Sequence, residues 1–284
     1  MDTIAPLNPS DVLDKTAKFI RVMEKAGVPW TNFQLPINNR TARRNLAEYM
    51  LMGCPKVKSD GQIVVAPAND YDLARTILGK DFISPEEIAL ARKLTYGDEL
   101  LQHFAETLPS EEALQWLREN GFVLMAGTPG PMSLLEVRNL NAQLFYTKEG
   151  GWYAEPKQKF SREDKVTAEW LMLRKGIVPN STRKNWDEQQ KLLTEVEYVP
   201  NAPEATWGIT TFKEVRNVWL LPDIYARTSS VGSGGDRVVV GRSTDGGVDV
   251  GGSTDGGVYV YDGWDDRRGG DLGLASARKR NLKP

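Results

Sequence analysis

From Gly241 to Val260 the chain writes ten residues twice, GRSTDGGVDV and then GGSTDGGVYV, exchanging only Arg242 for Gly252 and Asp249 for Tyr259. Valines stand at 238 and 240, at 248 and 250, and at 258 and 260. In extended chain, residues two apart share a face, so each valine pair predicts a short strand with one apolar side. The intervening positions, Val239, Asp249, Tyr259 and Tyr261, then share the opposite side, with STDGG turns between strands. The exchange of Asp249 for Tyr259 falls on that second side, so the repeat reads as a copied scaffold with an altered display.

Between Val231 and Asp271 the chain uses only Gly, Val, Asp, Arg, Ser, Thr, Tyr and Trp, and 13 of these 41 residues are glycine. A composition so narrow would suit low-complexity disorder. Disorder needs no period-2 valines, however, and the periodicity favours a sheet. Tyrosine, arginine, aspartate, serine and glycine on a rigid scaffold also make the palette of an antibody paratope, where tyrosine supplies contact area at low entropic cost.

Earlier in the chain the pattern is helical. SDVLDKTAKFIRVMEKAG opens on a Ser10 cap and closes at Gly27, and NRTARRNLAEYMLMG repeats the apolar stripe. SPEEIALARKL and PSEEALQWLRENG each place proline or serine and two glutamates where a helix start favours them. GQIVVAP reads as a short strand. AGTPGPMS, Ala126 to Ser133, is the strongest break and the expected boundary. Beyond it, LLEVRNLNAQLFYTKEGGWYAE predicts two strands about a Glu149-Gly150-Gly151 turn. SREDKVTAEWLMLRKG and NWDEQQKLL predict helices, and EVRNVWLLPDIYARTSS further strands.

Several function classes lose support. Net charge is −2 from 36 basic and 38 acidic residues, and eight aspartates accompany the arginines of 231–271, so no phosphate-backbone partner is implied. Cys54 is the lone cysteine and His103, expected on a helix surface, the lone histidine, so neither a disulfide framework nor a zinc site is expected. Asp245 and Asp255 sit in glycine-rich turns as in calcium-binding β-rolls, but two copies of period ten do not match that roll's nine-residue turns. Asp262, Asp265 and Asp266 around Trp264 could serve acid/base work on a sugar. No nucleophile elbow, phosphate loop or dinucleotide fingerprint accompanies them. We expect no enzyme, no cofactor and no metal. The N-terminus has no basic and apolar leader, and no apolar run is long enough to span a bilayer, so synthesis in the cytoplasm is expected, with export or display by a route without a cleavable signal left open.

IYARTSSVGSGGDRVVVG, followed by WDDRRGGDLGLASARK near the end of the chain, resembles the C-terminal variable region of the target proteins of diversity-generating retroelements, which have a C-type lectin fold. The resemblance covers about residues 155–279, including VPNSTRKNWDEQQKLL and YVPNAPEATWGITTFKEV, and says little of residues 1–125. It implies that a reverse transcriptase encoded nearby acts on the gene, not the protein, copying a template repeat and misincorporating opposite adenines. Codons AAC or AAT altered at their adenines give Gly, Asp, Ser, Arg, Val or Tyr, but not Lys, Glu, Gln, Met or Trp, and 231–271 contains neither asparagine nor lysine.

On that resemblance the variable region spans about 229–272. Its variable, ligand-binding candidates are Gly232, Gly234, Asp236, Val239, Arg242, Asp249, Gly252, Tyr259, Tyr261, Asp262, Arg267, Gly269, Gly270 and Asp271. Trp264, Leu272, Gly273 and Leu274 are expected as scaffold, with Trp264 buried. The chain departs from its relatives in carrying two copies of the decapeptide. The expected architecture is α+β: a mainly helical N-terminal region, 1–127, and a C-type lectin-like domain, 128–284. The expected function is receptor-like binding of a protein or cell-surface ligand by a diversified face. The alternatives are a non-diversified interaction module and a carbohydrate-active or calcium-binding protein.

Overall fold

We describe the protein from a computed structural model, which places residues 71–146, 150–222, 224–242 and 257–280, Arg242 by its backbone only. Contacts divide the chain into Met1–Pro67 and Ala68–Pro284, and all that follows concerns the second unit. The helices expected at 10–27 and 39–53 and the strand at 61–67 lie outside the described residues, as do the Val248–Val250 strand, Asp249 and Gly252.

In chain order come α1 (Asp72–Leu78), β1 (Phe82–Ile83), α2 (Pro85–Arg92), α3 (Asp98–Glu106), α4 (Glu111–Glu119), β2 (Phe122–Ala126) and α5 (Leu134–Leu140). Then follow α6 (Phe160–Glu163), β3 (Trp170–Arg174), α7 (Trp186–Gln190), β4 (Glu197–Tyr198) and α8 (Ala202–Arg216). The last part holds β5 (Ile224–Val231), β6 (Arg237–Arg242), β7 (Tyr259–Gly263), β8 (Leu272–Leu274) and β9 (Ala277–Arg278). The architecture is mixed α+β with two sheets. One runs β1-β2-β3-β9-β4, with β1 and β2 parallel and the other pairs antiparallel. The other runs β7-β6-β5-β8, with only β5 and β8 parallel.

Capping decides where the helices begin. Ser84 accepts from Glu87 N while the Glu87 carboxylate accepts from Ser84 N, and Pro85 occupies the first turn, so α2 starts as its sequence predicts. Ser110 caps α4. A second capping box, Ser133 with Glu136, starts α5 inside LLEVRNLNAQLF, where two strands were expected. Only Val137 is β-branched there, so strand propensity is too weak to compete with the cap. Conversely, SREDKVTAEWLMLRKG keeps only three residues of its expected helix, Ser161 to Glu163 at the end of the short α6. Its WLML run is buried on both sides and becomes β3, as an unbroken apolar run does between layers. In EVRNVWLLPDIYARTSS, the first three residues end α8 and the strand starts only at Ile224.

Ala126–Ser133, expected to mark the boundary, lies inside the second unit. Gly127 N donates to Glu169 O at 2.9 Å, Met132 and Val166 bridge, and a Cβ at 127 would come within 2.0 Å of the Thr167 carbonyl. Strands β2 and β3 pair across the break, and Phe82, Phe104 and Trp170 meet in one aromatic cluster.

Helix α8 occupies the centre. An Asn201 capping box starts it, Asn217 in left-handed conformation ends it, and ten of its residues are buried. It packs on β3, β5 and β6. Gly208 lets it approach β3, since a Cβ there would meet Leu173 Cδ2 at 2.4 Å. The chain's end returns to this core: β9 inserts between β3 and β4, and Ser276 donates to Glu197, which also holds Arg174 at 2.9 Å.

Candidate functional site

Strands β5, β6 and β7 alternate as the valines predict. Ala226, Val238, Val240 and Val260 join the main core. Register places two rows on the opposite side of the sheet. Tyr259, Gly241, Tyr225 and Leu272 form one, and Tyr261, Val239, Arg227 and Leu274 the other.

Gly241 makes the first row possible. A Cβ there would lie 2.8 Å from Tyr225 Cα and 3.0 Å from its Cδ1, so the missing side chain leaves room for Tyr225. The Tyr225 ring stands edge-on to Tyr259 at 6.1 Å and to Tyr261 at 5.4 Å. Tyr146, from the segment before α6, stacks on Tyr259 with centroids 4.0 Å apart. Four tyrosines thus form one continuous group. Burial pushes the Tyr261 phenol up to about 12, with the Arg267 guanidinium opposing.

In the second row Arg227 is fully buried. It donates to the carbonyls of Trp264 and Arg267 at 2.7 Å each, to Gln189 Oε1 at 2.9 Å and to Lys184 O at 3.3 Å. Burial lowers its pKa, while neutral oxygens accept from its two terminal nitrogens and its Nε stays buried without a partner. One guanidinium therefore clasps the 264–267 turn to the residues around α7. Trp186 N donates to Asp265 O and Arg183 N to Gly269 O, each at 2.9 Å. Arg237 lies 4.4 Å over the Trp186 ring, 3.7 Å from the Asp265 carboxylate, and Arg268 pairs with Glu188 at 2.7 Å. Segment 264–271 is thus a braced loop.

No family model matches the chain. No curated protein and no solved structure matches it either. The role of this face is therefore argued from its own geometry.

The variable candidates divide by environment. Gly234, Asp262, Arg267, Gly270 and Asp271 are exposed, while Asp236, Tyr259, Tyr261 and Gly269 are half-buried. Arg267 pairs with Asp271 at 3.0 Å. Asp249 and Gly252 lie outside the described residues, and Arg242 is placed on β6 by its backbone. Two candidates are enclosed. Val239 points to the expected side but is fully buried, its side chain lying against Gly263 of β7 between the Tyr261 and Arg227 positions. Gly232 is buried, and a Cβ on it would meet the Trp152 ring at 3.0 Å. Buried Gln158 holds the adjoining Ser233 by N and Oγ.

Leu272, Gly273 and Leu274 are buried as expected of scaffold. Trp264 is not: the residue is 71% exposed. It follows the last residue of β7, so only its backbone is held, by Arg227, and its ring projects from the turn. Volume filling in this glycine-rich stretch falls instead to Tyr225 and Val239. Sequence reasoning missed Tyr146, Tyr225 and Arg227. The only signal was the period-2 continuation of IYARTSS, which puts Tyr225 and Arg227 on one side. Tyr146, more than 100 residues from its stacking partner, gave none. Asp265 is tied to Arg237, and among the described residues no group of three His, Cys, Asp or Glu is placed to hold a metal. No helix among them is long and apolar enough to cross a membrane.

Proposed function

We propose that this chain is a receptor-like binding protein, the variable protein of a diversity-generating retroelement with a C-type lectin-like fold. Its outer C-terminal face, changed by adenine-directed mutagenesis of the gene, recognises a protein or other cell-surface ligand. The observation that carries this reading is that exchangeable positions are framed by fixed ones. The region 229–272 begins in β5 and ends in β8, both anchored in buried sheet. Between these ends, Tyr259, Tyr261, Arg267, Gly270 and Asp271 vary in exposure but share one side or its braced loop, while Asp262, paired with Val238, lies exposed near the end of β7 on the other parity. Side chains can then be exchanged without refolding the backbone that aims them, and that rigidity keeps the entropic cost of binding low. Tyr259, Tyr261 and exposed Trp264 are the energetic anchors, since aromatics dominate binding hot spots. Enclosed Val239 and Gly232 act as frame.

The test is genetic. Sequencing the DNA flanking the gene should find a near-copy of its last 150 or so bases beside a reverse transcriptase gene, differing where the copy has adenine. Without such a copy, diversification is refuted and the face is that of an ordinary interaction module.

A further inference from the structure

Tyr146 and Tyr225 lie outside every position assigned to the variable set, yet they make half of the tyrosine group. Their placement does not depend on the side chains that vary. Tyr146 N donates to Val258 O at 3.1 Å, and Val258 N to Leu144 O at 2.8 Å, so backbone bonds pin Tyr146 beside β7. Gly257 permits this approach, since a Cβ there would lie 2.6 Å from the Phe145 carbonyl carbon. Tyr225 N donates to Asp271 O at 2.9 Å, and the Tyr225 ring occupies the space over Gly241. Exchanging Tyr259 would therefore uncover the face of the Tyr146 ring without moving it. Tyr146 is already 46% exposed with Tyr259 in place.

Resting on the display reading, we propose that Tyr146 and Tyr225 are constant ligand-contacting residues, a fixed aromatic half of the binding face that every variant of this chain presents to a protein ligand. A folded protein surface is the occupant that the geometry favours. With Tyr259 in place, Tyr146 and Tyr259 cover one face of each other, and Tyr225 turns its ring toward both neighbours, so the tyrosine group offers a sugar few open ring faces. What is presented is ring edges, the projecting Trp264, and both signs of charge in Asp266, Arg267, Arg268 and Asp271. Mixed polar groups around aromatic anchors match a protein interface.

The experiment is a library of the full chain displayed on yeast, randomised at Tyr259, Tyr261, Arg267 and Asp271. It is panned in parallel on purified lysozyme and on immobilised oligosaccharides. Lysozyme binders are expected, and in most of them Tyr146→Ala should weaken binding at least fivefold while the melting temperature stays within a few degrees. Tyr225→Phe should weaken a subset. Should Tyr146→Ala melt early, Tyr146→Leu keeps the bulk without a ring and is held to the same threshold. Lysozyme binders that lose less than fivefold overturn the constant-half inference and leave the display reading standing. Binders to oligosaccharides alone overturn the choice of a protein ligand. A library with no binders to either probe refutes both readings together.

Discussion

The two sides of β5, β6 and β7 are built from alternating residues of the same strands, yet they answer to different constraints. Inward, Ala226, Val238, Val240 and Val260 touch the core that α8 organises, and any polar atom there would be dry. Outward, Tyr225, Tyr259 and Tyr261 are half-buried in one another, while Val239 is buried against Gly263 and Arg227 beneath the loop that it holds itself. Position along a strand therefore does not set tolerance to change. Parity assigns the side, and the covering loop then divides the outer side into a closed part and an open one.

The sharpest way to break this comparison is to put a charge on the inner side. Val240→Asp should cost more than about 4 kcal/mol, because an unpaired carboxylate in the core has no partner. Loss of the cooperative melting transition is expected, and a folded variant would show that β6 is wet on both sides. Next comes the clasp. Arg227→Leu keeps volume but strands the carbonyl of Arg267 and leaves that of Trp264 with only its bond from Arg267 N, and should cost about 3 kcal/mol in chemical denaturation. Little change would mean that the 264–271 loop is held without it. Gly241→Ala tests the tyrosine packing. Its new methyl would lie 2.3 Å from the Ile224 carbonyl, so a loss of about 2 kcal/mol is expected, and neutrality would show that Tyr225 does not need that space.

Two smaller effects sharpen the open part of the face. The Tyr261 phenol is raised to about 12 from an unfolded value near 10. A raised folded pKa means its contribution to stability is whole below pH 10 and fades as pH climbs through 12. Tyr261→Phe should therefore flatten the fall in melting temperature over that window. In absorbance at 295 nm it should remove a phenol ionising near 12. A phenol lost near 10 instead would make position 261 an ordinary wet surface. Least of all, Asp262→Ser should change stability by no more than about 0.5 kcal/mol, because Asp262, although it shares the parity of Val238, is exposed near the end of β7. A larger loss would place Asp262 in the frame.

Local rules carried the reading where a single element decides the outcome. The Ser84 and Ser110 caps started their helices where the residues predict, and the valines of 238, 240, 258 and 260 faced one side, because caps and strand parity act over a few neighbours. The same rules failed at 134–140 and 166–174. There, a capping box and burial between layers outweighed the periodicity of short apolar runs. Trp264 marks the limit most clearly. Its size argues for burial, but the turn after β7 faces solvent, and no property of the residue itself reports which way a turn faces.

By itself the sequence determined the α+β composition, the alternation of the C-terminal strands and the narrow palette of the outer side, all consequences of residue type and spacing along the chain. Only the tertiary structure decided that Tyr146 and Tyr225 join that side, that Arg227 braces the loop from within, and that Val239 is closed off while Trp264 stands clear. Each of these depends on contacts between segments far apart in the chain, and such contacts are set by which surfaces the folded core leaves exposed.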